Sequence, residues 1–175
     1  MDAHYDQVMK ARQSADGAES RLYFAYSTIL DRAAFEEWRT QHSYTFFDLP
    51  AGRVARATDI DLTYDFPSRW WGGRVAGLVN RPGAQVYGLL FEIAGKDWPI
   101  IQHKEGAVTG MCVERPVSVL AGAERFEATA FTTNPQRART DGPVSSAFIE
   151  ALVRGAASAG LPAEYIARLR AQPPT

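Results

Sequence analysis

Apolar and polar residues alternate strictly over Ile60, Leu62, Tyr64 and Phe66, with Asp61, Thr63 and Asp65 between them. A period of two predicts a strand with one wet face. It lies within a longer segment, Arg53–Phe66, that Gly52 opens and Pro67 and Ser68 stop. Arg21–Tyr26 is shorter and aromatic-rich and also reads as a strand. Two more β-type runs, Arg74–Val79 and Gln85–Ile93, flank the turn sequence Arg81-Pro82-Gly83 and predict a hairpin. The second run is almost continuously apolar, as expected of a strand covered on both faces. Val108–Leu120 and Arg125–Thr133 add two strands around Ala121-Gly122-Ala123.

Helical signals punctuate and close the chain. Asp31 is placed to cap a helix ending near Arg39 or Thr40, with Ala34, Phe35 and Trp38 on its apolar side. Lys96–Glu105 predicts a short helix whose start Pro99 delays and whose end Gly106 marks. Phe148, Ile149, Leu152 and Val153 recur at helical spacing behind the capping hydroxyls of Ser145 and Ser146. Gly160 stops that helix, and Pro162 opens another that carries Ile166 and Leu169 inward. Strands that run together, with helices gathered at the end, argue for an α+β fold. The chain contains no internal repeat and no linker, so one domain spanning 21–175 is expected. Residues 1–20, mixed charged and polar, are expected to be a poorly ordered N-terminal segment.

Composition narrows the function classes. Apolar types make up 46% and charged types 22%, with a formal net charge of −1. No concentrated basic face is available for a nucleic-acid or membrane-surface partner. The longest apolar runs, such as Val86–Ile93, are far short of the roughly 20 residues a membrane span needs. Cys112 is the single cysteine, so no intrachain disulfide can form, and Met1–Ser20 has no apolar leader. A cytoplasmic location is the expectation.

Most standard chemical motifs are missing. No Gly-rich dinucleotide loop or Walker lysine is present. His4, His42 and His103 are far apart in sequence and form no ligand-spaced pair, so neither a metal nor a cofactor is expected. Cys112 and His103 have the chemistry of a nucleophile and base, but Cys112 sits in an apolar strand, where a lone cysteine behaves as a buried small hydrophobe. Trp70-Trp71-Gly72-Gly73 reads as a strand-entry turn that packs its tryptophans on the core, with a pocket wall as the other reading.

Three segments in order resemble the gamma-glutamylcyclotransferase family. Leu22-Tyr23-Phe24-Ala25-Tyr26-Ser27-Thr28-Ile29-Leu30 is similar to its opening strand and loop, Tyr-Phe-Ala-Tyr-Gly-Ser-Asn-Leu. Lys104-Glu105-Gly106-Ala107-Val108-Thr109-Gly110-Met111-Cys112 resembles Glu-Gly-Val-x-x-Gly-x-Tyr, and Gly155-Ala156 through Gly160-Leu161-Pro162-Ala163-Glu164-Tyr165 resembles the C-terminal motif. Gly72-Gly73-Arg74 and Val86-Tyr87-Gly88-Leu89-Leu90-Phe91 are similar to the intervening turn and strand. The resemblance implies a single-domain mixed β-barrel with flanking helices and a C-terminal helical pair. It also implies a small-molecule substrate and leaves a homodimer open. Glu105 takes the place of the catalytic acid–base, and Tyr26, Ser27, Thr28, Ile29, Leu30 and Cys112 fall at substrate-binding positions. The loop departs from the family: Ser27, Thr28 and Ile29 replace Gly, Ser and Asn, and Cys112 replaces Tyr. That pattern points to a changed substrate around retained chemistry.

The implied reaction closes a lactam. The α-amine of a gamma-glutamyl group attacks its own side-chain carbonyl, and 5-oxoproline and an amine leave. One carboxyl group between the two nitrogens can take the first proton and deliver the second. Glu105, beside Gly106 at an expected helix C-terminus, sits where the helix dipole and partial burial both disfavour its charge. Amide hydrolysis or acyl transfer with the same glutamate, and a non-catalytic binding protein, are the competing readings.

Overall fold

The computed structural model describes residues 2–171. Its elements run α1 (Tyr5–Ser14), β1 (Arg21–Ala25), α2 (Arg32–Gln41), β2 (Arg53–Ser68), β3 (Gly73–Ile93), α3 (Trp98–Lys104), β4 (Cys112–Ala121), β5 (Glu124–Thr133), α4 (Ser146–Ser158) and α5 (Ala163–Ala171). The five strands close into a mixed barrel in the order β1-β3-β2-β4-β5. All neighbours are antiparallel except β1 and β5, which meet in parallel at Tyr23 and Thr129. Closure removes the free sheet edges that would invite association. This is the α+β barrel with a C-terminal helical pair that the resemblance implied. Of the expected domain 21–175, residues 172–175 lie outside the described residues, as does Met1 of the N-terminal segment.

The hairpin expected at Arg81-Pro82-Gly83 is not one. Arg74–Val79 and Gln85–Ile93 belong to the same strand, β3, and both halves pair with β2. The register slips between Thr58 and Ile60, so that Asn80 and Gln85 bracket a bulge. Asp59 takes a positive φ of 59° there, and its Oδ1 accepts the Gly83 N–H at 2.8 Å. A short acidic side chain tolerates that backbone and satisfies the displaced amide. The turn residues do mark a break in the ladder. The chain does not reverse, because a 16-residue β2 is long enough to pair with both halves. The real reversal is Arg69–Gly72, where the tryptophans sit.

Residues 1–20 also differ from expectation. They include α1, whose Val8 is buried and whose Tyr5 and Met9 pack against the core. Tyr5, Val8 and Met9 have i, i+3, i+4 spacing, but three apolar positions make a weak signal. Tyr5 stacks on Tyr44 at 5.5 Å, and Arg12 pairs with Asp97 at 2.9 Å. β4 begins at Cys112, later than Val108, because Gly106 and Gly110 both hold left-handed backbone and turn the preceding segment.

The caps follow the sequence closely. Asp31 Oδ1 accepts the Ala33 and Ala34 amides at the start of α2. Ser145 Oγ accepts the Phe148 amide at the start of α4 and donates to the Trp71 carbonyl at 2.6 Å. Gly160, at φ 73°, ends α4 with Leu161 N–H bonded to Ala156 O. Among the described residues, no helix is long and apolar enough to cross a membrane.

Candidate active site

Glu105 is positioned by the way α3 ends. Gly106 adopts φ 81°, the Gly106 amide bonds to His103 O, and the Ala107 amide bonds to Gln102 O at 2.8 Å. Those two bonds form a Schellman stop, in which a left-handed residue closes the last turn. The residue before the glycine, Glu105, is therefore the C-cap, with α-type backbone (φ −86°, ψ −1°). Its side chain leaves the helix at a fixed angle toward the barrel. There the hydroxyl of Tyr23, from the middle of β1, donates to Glu105 Oε1 at 2.5 Å. Tyr23 is buried, and its ring lies 5.9–6.1 Å from those of Phe91, Trp98 and Phe131.

Half-buried Glu105 opens onto a cavity of about 530 Å³. Tyr26, Ser27 and Thr28 form one wall where β1 ends, and Cys112 and Phe131 contribute from β4 and β5. Two stretches some 80 positions apart thus share one hollow. Tyr26 is held by its hydroxyl on Phe131 O at 2.5 Å. α2 also lines the cavity, with Trp38 and His42, as do Trp70 and Trp71 from the β2–β3 turn. Trp70 is 73% exposed, whereas Trp71 packs on Phe148 at 5.7 Å between ring centres. The turn reading holds, but core packing holds for Trp71 alone, and both tryptophans line the cavity as the pocket-wall reading had it. Lys104 and Arg154 bring positive charge to the lining, and Arg154 is tied to Asp31 at 2.9 Å.

Ile29 and Leu30, expected at the substrate, are elsewhere. Thr28–Leu30 winds into a 3₁₀ turn, which sends both side chains into the core at 3% and 4% exposure. Gly155 of α4 seats directly on this turn, where an added Cβ would lie 2.7 Å from the Asp31 amide nitrogen. The replacement of the family's Asn by Ile29 therefore alters the packing beneath the loop rather than the cavity surface.

Burial, the Glu105 charge and the hydrogen bond to it push the Tyr23 phenol well above its ordinary range. It stays a neutral donor at physiological pH and cannot serve as the base. Burial and the neighbouring Glu105 and Asp65 carboxylates push the Cys112 thiol up as well. A thiol in that setting is a poor nucleophile. Its proposed partner His103 is engaged by Tyr44 at 2.9 Å. Burial lowers Lys104, with Glu105 opposing the shift, and its ammonium lies 5.7 Å from the Trp38 ring centre. Sequence reasoning misses Tyr23 as a site residue. Its signal is a tyrosine inside a short, otherwise apolar strand, because a buried phenol needs an acceptor.

A barrel closed by five mixed strands, with a carboxylate at a helix C-cap facing the end of the first strand, defines the cyclotransferase-like class of fold. Residues 85–169 match the model of the AIG2-like family. The chain is 30% identical over 162 residues to the gamma-glutamylcyclotransferase of Homo sapiens, covering 89% of this chain and 80% of the relative. It is 27% identical over 166 residues to that of Bos taurus, covering 93% and 83%. Among solved structures, a gamma-glutamyl cyclotransferase superposes with a TM-score of 0.73 at 24% identity, over 90% of each chain. The human protein LOC79017 superposes with a TM-score of 0.72 at 25% identity, also over 90% of each. The chain belongs to the gamma-glutamylcyclotransferase family.

Proposed function

We propose that the protein cleaves a gamma-glutamyl amide by intramolecular attack of its α-amine, releasing 5-oxoproline and an amine, with Glu105 as the proton carrier. The observation that carries this reading is the half-buried Glu105 carboxylate, hydrogen-bonded by Tyr23 and lining the same cavity as Tyr26, Ser27 and Thr28. Glu105 accepts the proton lost as the amine nitrogen bonds to the γ-carbonyl carbon. It returns that proton to the departing nitrogen as the amide C–N bond breaks, so the carboxylate ends as it began. Amides at the Tyr26–Thr28 wall are the donors available to the substrate carboxylate or to the developing oxyanion. Holding an extended gamma-glutamyl chain in its ring-closing shape is the enzyme's other contribution, worth up to roughly 7–11 kcal/mol in the best intramolecular cases.

The aromatic lining by Trp38, Trp70 and Trp71 favours an apolar or aromatic group on the departing amine. The test is incubation with a panel of gamma-glutamyl amines and peptides, with mass-spectrometric detection of products. 5-Oxoproline is expected, more of it from apolar amines. Glu105→Gln should lower turnover by about 10²–10⁴-fold, the range for a lost general acid–base, with the thermal midpoint nearly unchanged. Free glutamate in place of the lactam would assign hydrolysis instead, and a fully active Glu105→Gln would remove the glutamate from the mechanism.

A further inference from the structure

Three residues with metal-ligand chemistry converge where α1, α2 and α3 meet, and one of them, His42, also lines the cavity. They come from the start of the chain (Asp2), the C-cap of α2 (His42) and the interior of α3 (His103). Asp2 Oδ2 lies 3.3 Å from His42 Nε2 and 3.4 Å from His103 Nε2, and all three ligand atoms lie within 4.8 Å of one another. Two donors bound tetrahedrally at about 2.0–2.1 Å stand about 3.3–3.4 Å apart. The carboxylate-to-imidazole spacings therefore already have the value a bound cation would impose.

The outer contacts aim each ligand. His42 Nδ1 lies 2.8 Å from Trp38 O, an acceptor that keeps the proton on Nδ1 and leaves the Nε2 lone pair facing Asp2. His103 Nδ1 is 2.9 Å from the Tyr44 hydroxyl, and His103 is buried. Asp2 Oδ1 accepts the His4 amide at 2.9 Å, while Oδ2 is buried with no hydrogen bond of its own. The two imidazole rings meet at 83°, edge toward face, so neither covers the other's ligand atom by stacking.

We propose that Asp2, His42 and His103 form a binding site for a borderline divalent cation of the zinc class. Two imidazoles and one carboxylate suit zinc and its first-row neighbours over magnesium or calcium, which take mainly oxygen ligands. Three protein ligands leave a fourth position for water. Such a cation fastens the N-terminal segment to α2 and α3, two residues upstream of Glu105.

The test uses the full chain without a histidine tag, stripped with chelator and titrated with Zn²⁺ against a chromogenic indicator. One equivalent is expected to bind, Mg²⁺ at the same concentration should not compete, and Co²⁺ should develop the strong visible bands of a tetrahedral site. Zn²⁺ should also raise the thermal midpoint, as any ligand of the folded state does. His42→Gln, at a partly exposed position, should weaken Zn²⁺ binding at least tenfold while the circular dichroism spectrum is kept. Asp2→Asn should do the same. No saturable Zn²⁺ binding by the wild-type chain, or undiminished binding in a folded His42→Gln, overturns the site.

Discussion

Tyr23 gives Glu105 a buried donor that does not ionise at physiological pH, because burial and the adjacent charge keep the phenol neutral. A hydrogen bond to a charged group is worth about 1.5–3 kcal/mol, which is about 10- to 100-fold in rate if it is fully needed at the transition state. Tyr23→Phe is accordingly expected to lower kcat by that range while KM moves little. The aromatic packing against Phe91, Trp98 and Phe131 survives the change, so the fold should too. Steady-state kinetics beside near-UV circular dichroism checks this, and an unaltered kcat would show that Glu105 is aimed by α3 alone. Glu105 was legible in the sequence only through the ordered motif it shares with the family, since Glu-Gly at a helix end reads by itself as an ordinary solvated glutamate. Its partner was not, since Tyr23 lies 82 positions away and nothing local joins the two.

At the level of the elements, two glycines hold the site for different reasons. Gly106 needs its left-handed backbone, but an added Cβ would meet nothing nearer than 3.6 Å. Gly106→Ala should therefore cost only the conformational penalty, about 1–2 kcal/mol, together with some activity as the C-cap shifts. Gly88 of β3 has no room, since an added Cβ would lie 2.1 Å from the Ala25 carbonyl oxygen on β1. The two strands would have to separate at Ala25, immediately before Tyr26. Gly88→Ala should thus destabilise by about 1–3 kcal/mol or more and disturb the Tyr26–Thr28 wall as well. Chemical denaturation of both variants would refute this ranking if Gly88→Ala proved the milder. The same scale explains the mistaken hairpin. Hydrophobic pattern and turn residues located both halves of β3, yet pairing partners are set by the length of β2, which the turn sequence does not encode.

Taken whole, the molecule buries four of its seven phenols. Tyr23, Tyr26, Tyr44 and Tyr165 are all buried, and burial raises each of them above the ordinary tyrosine range. Below about pH 10 the folded and unfolded chains both keep these protons and their contribution is fully present. Above it the unfolded chain releases protons that the folded chain retains, so stability falls as pH rises toward the folded-state values. Each such group removes up to about 1.4 kcal/mol per pH unit in that window. The denaturation midpoint should drop steeply beyond pH 10, together with the ultraviolet signal of tyrosine ionisation. Phenols that titrate normally while the chain remains folded would contradict the burial described here.

The sequence by itself determined the local decisions: which segments alternate, where Asp31, Ser145, Gly106 and Gly160 cap their helices, and which family's ordered motifs the chain carries. These depend on neighbours within a turn or two, so the residues themselves suffice. Only the tertiary structure decided that β3 runs unbroken, that α1 packs on the core, that Ile29 and Leu30 face inward, and that Tyr23 meets Glu105 and Asp2 meets two histidines. Side-chain periodicity records which face of an element is buried, but not what buries it. Closing the barrel and docking the helices brings distant residues together, and that choice belongs to the packing of the whole chain.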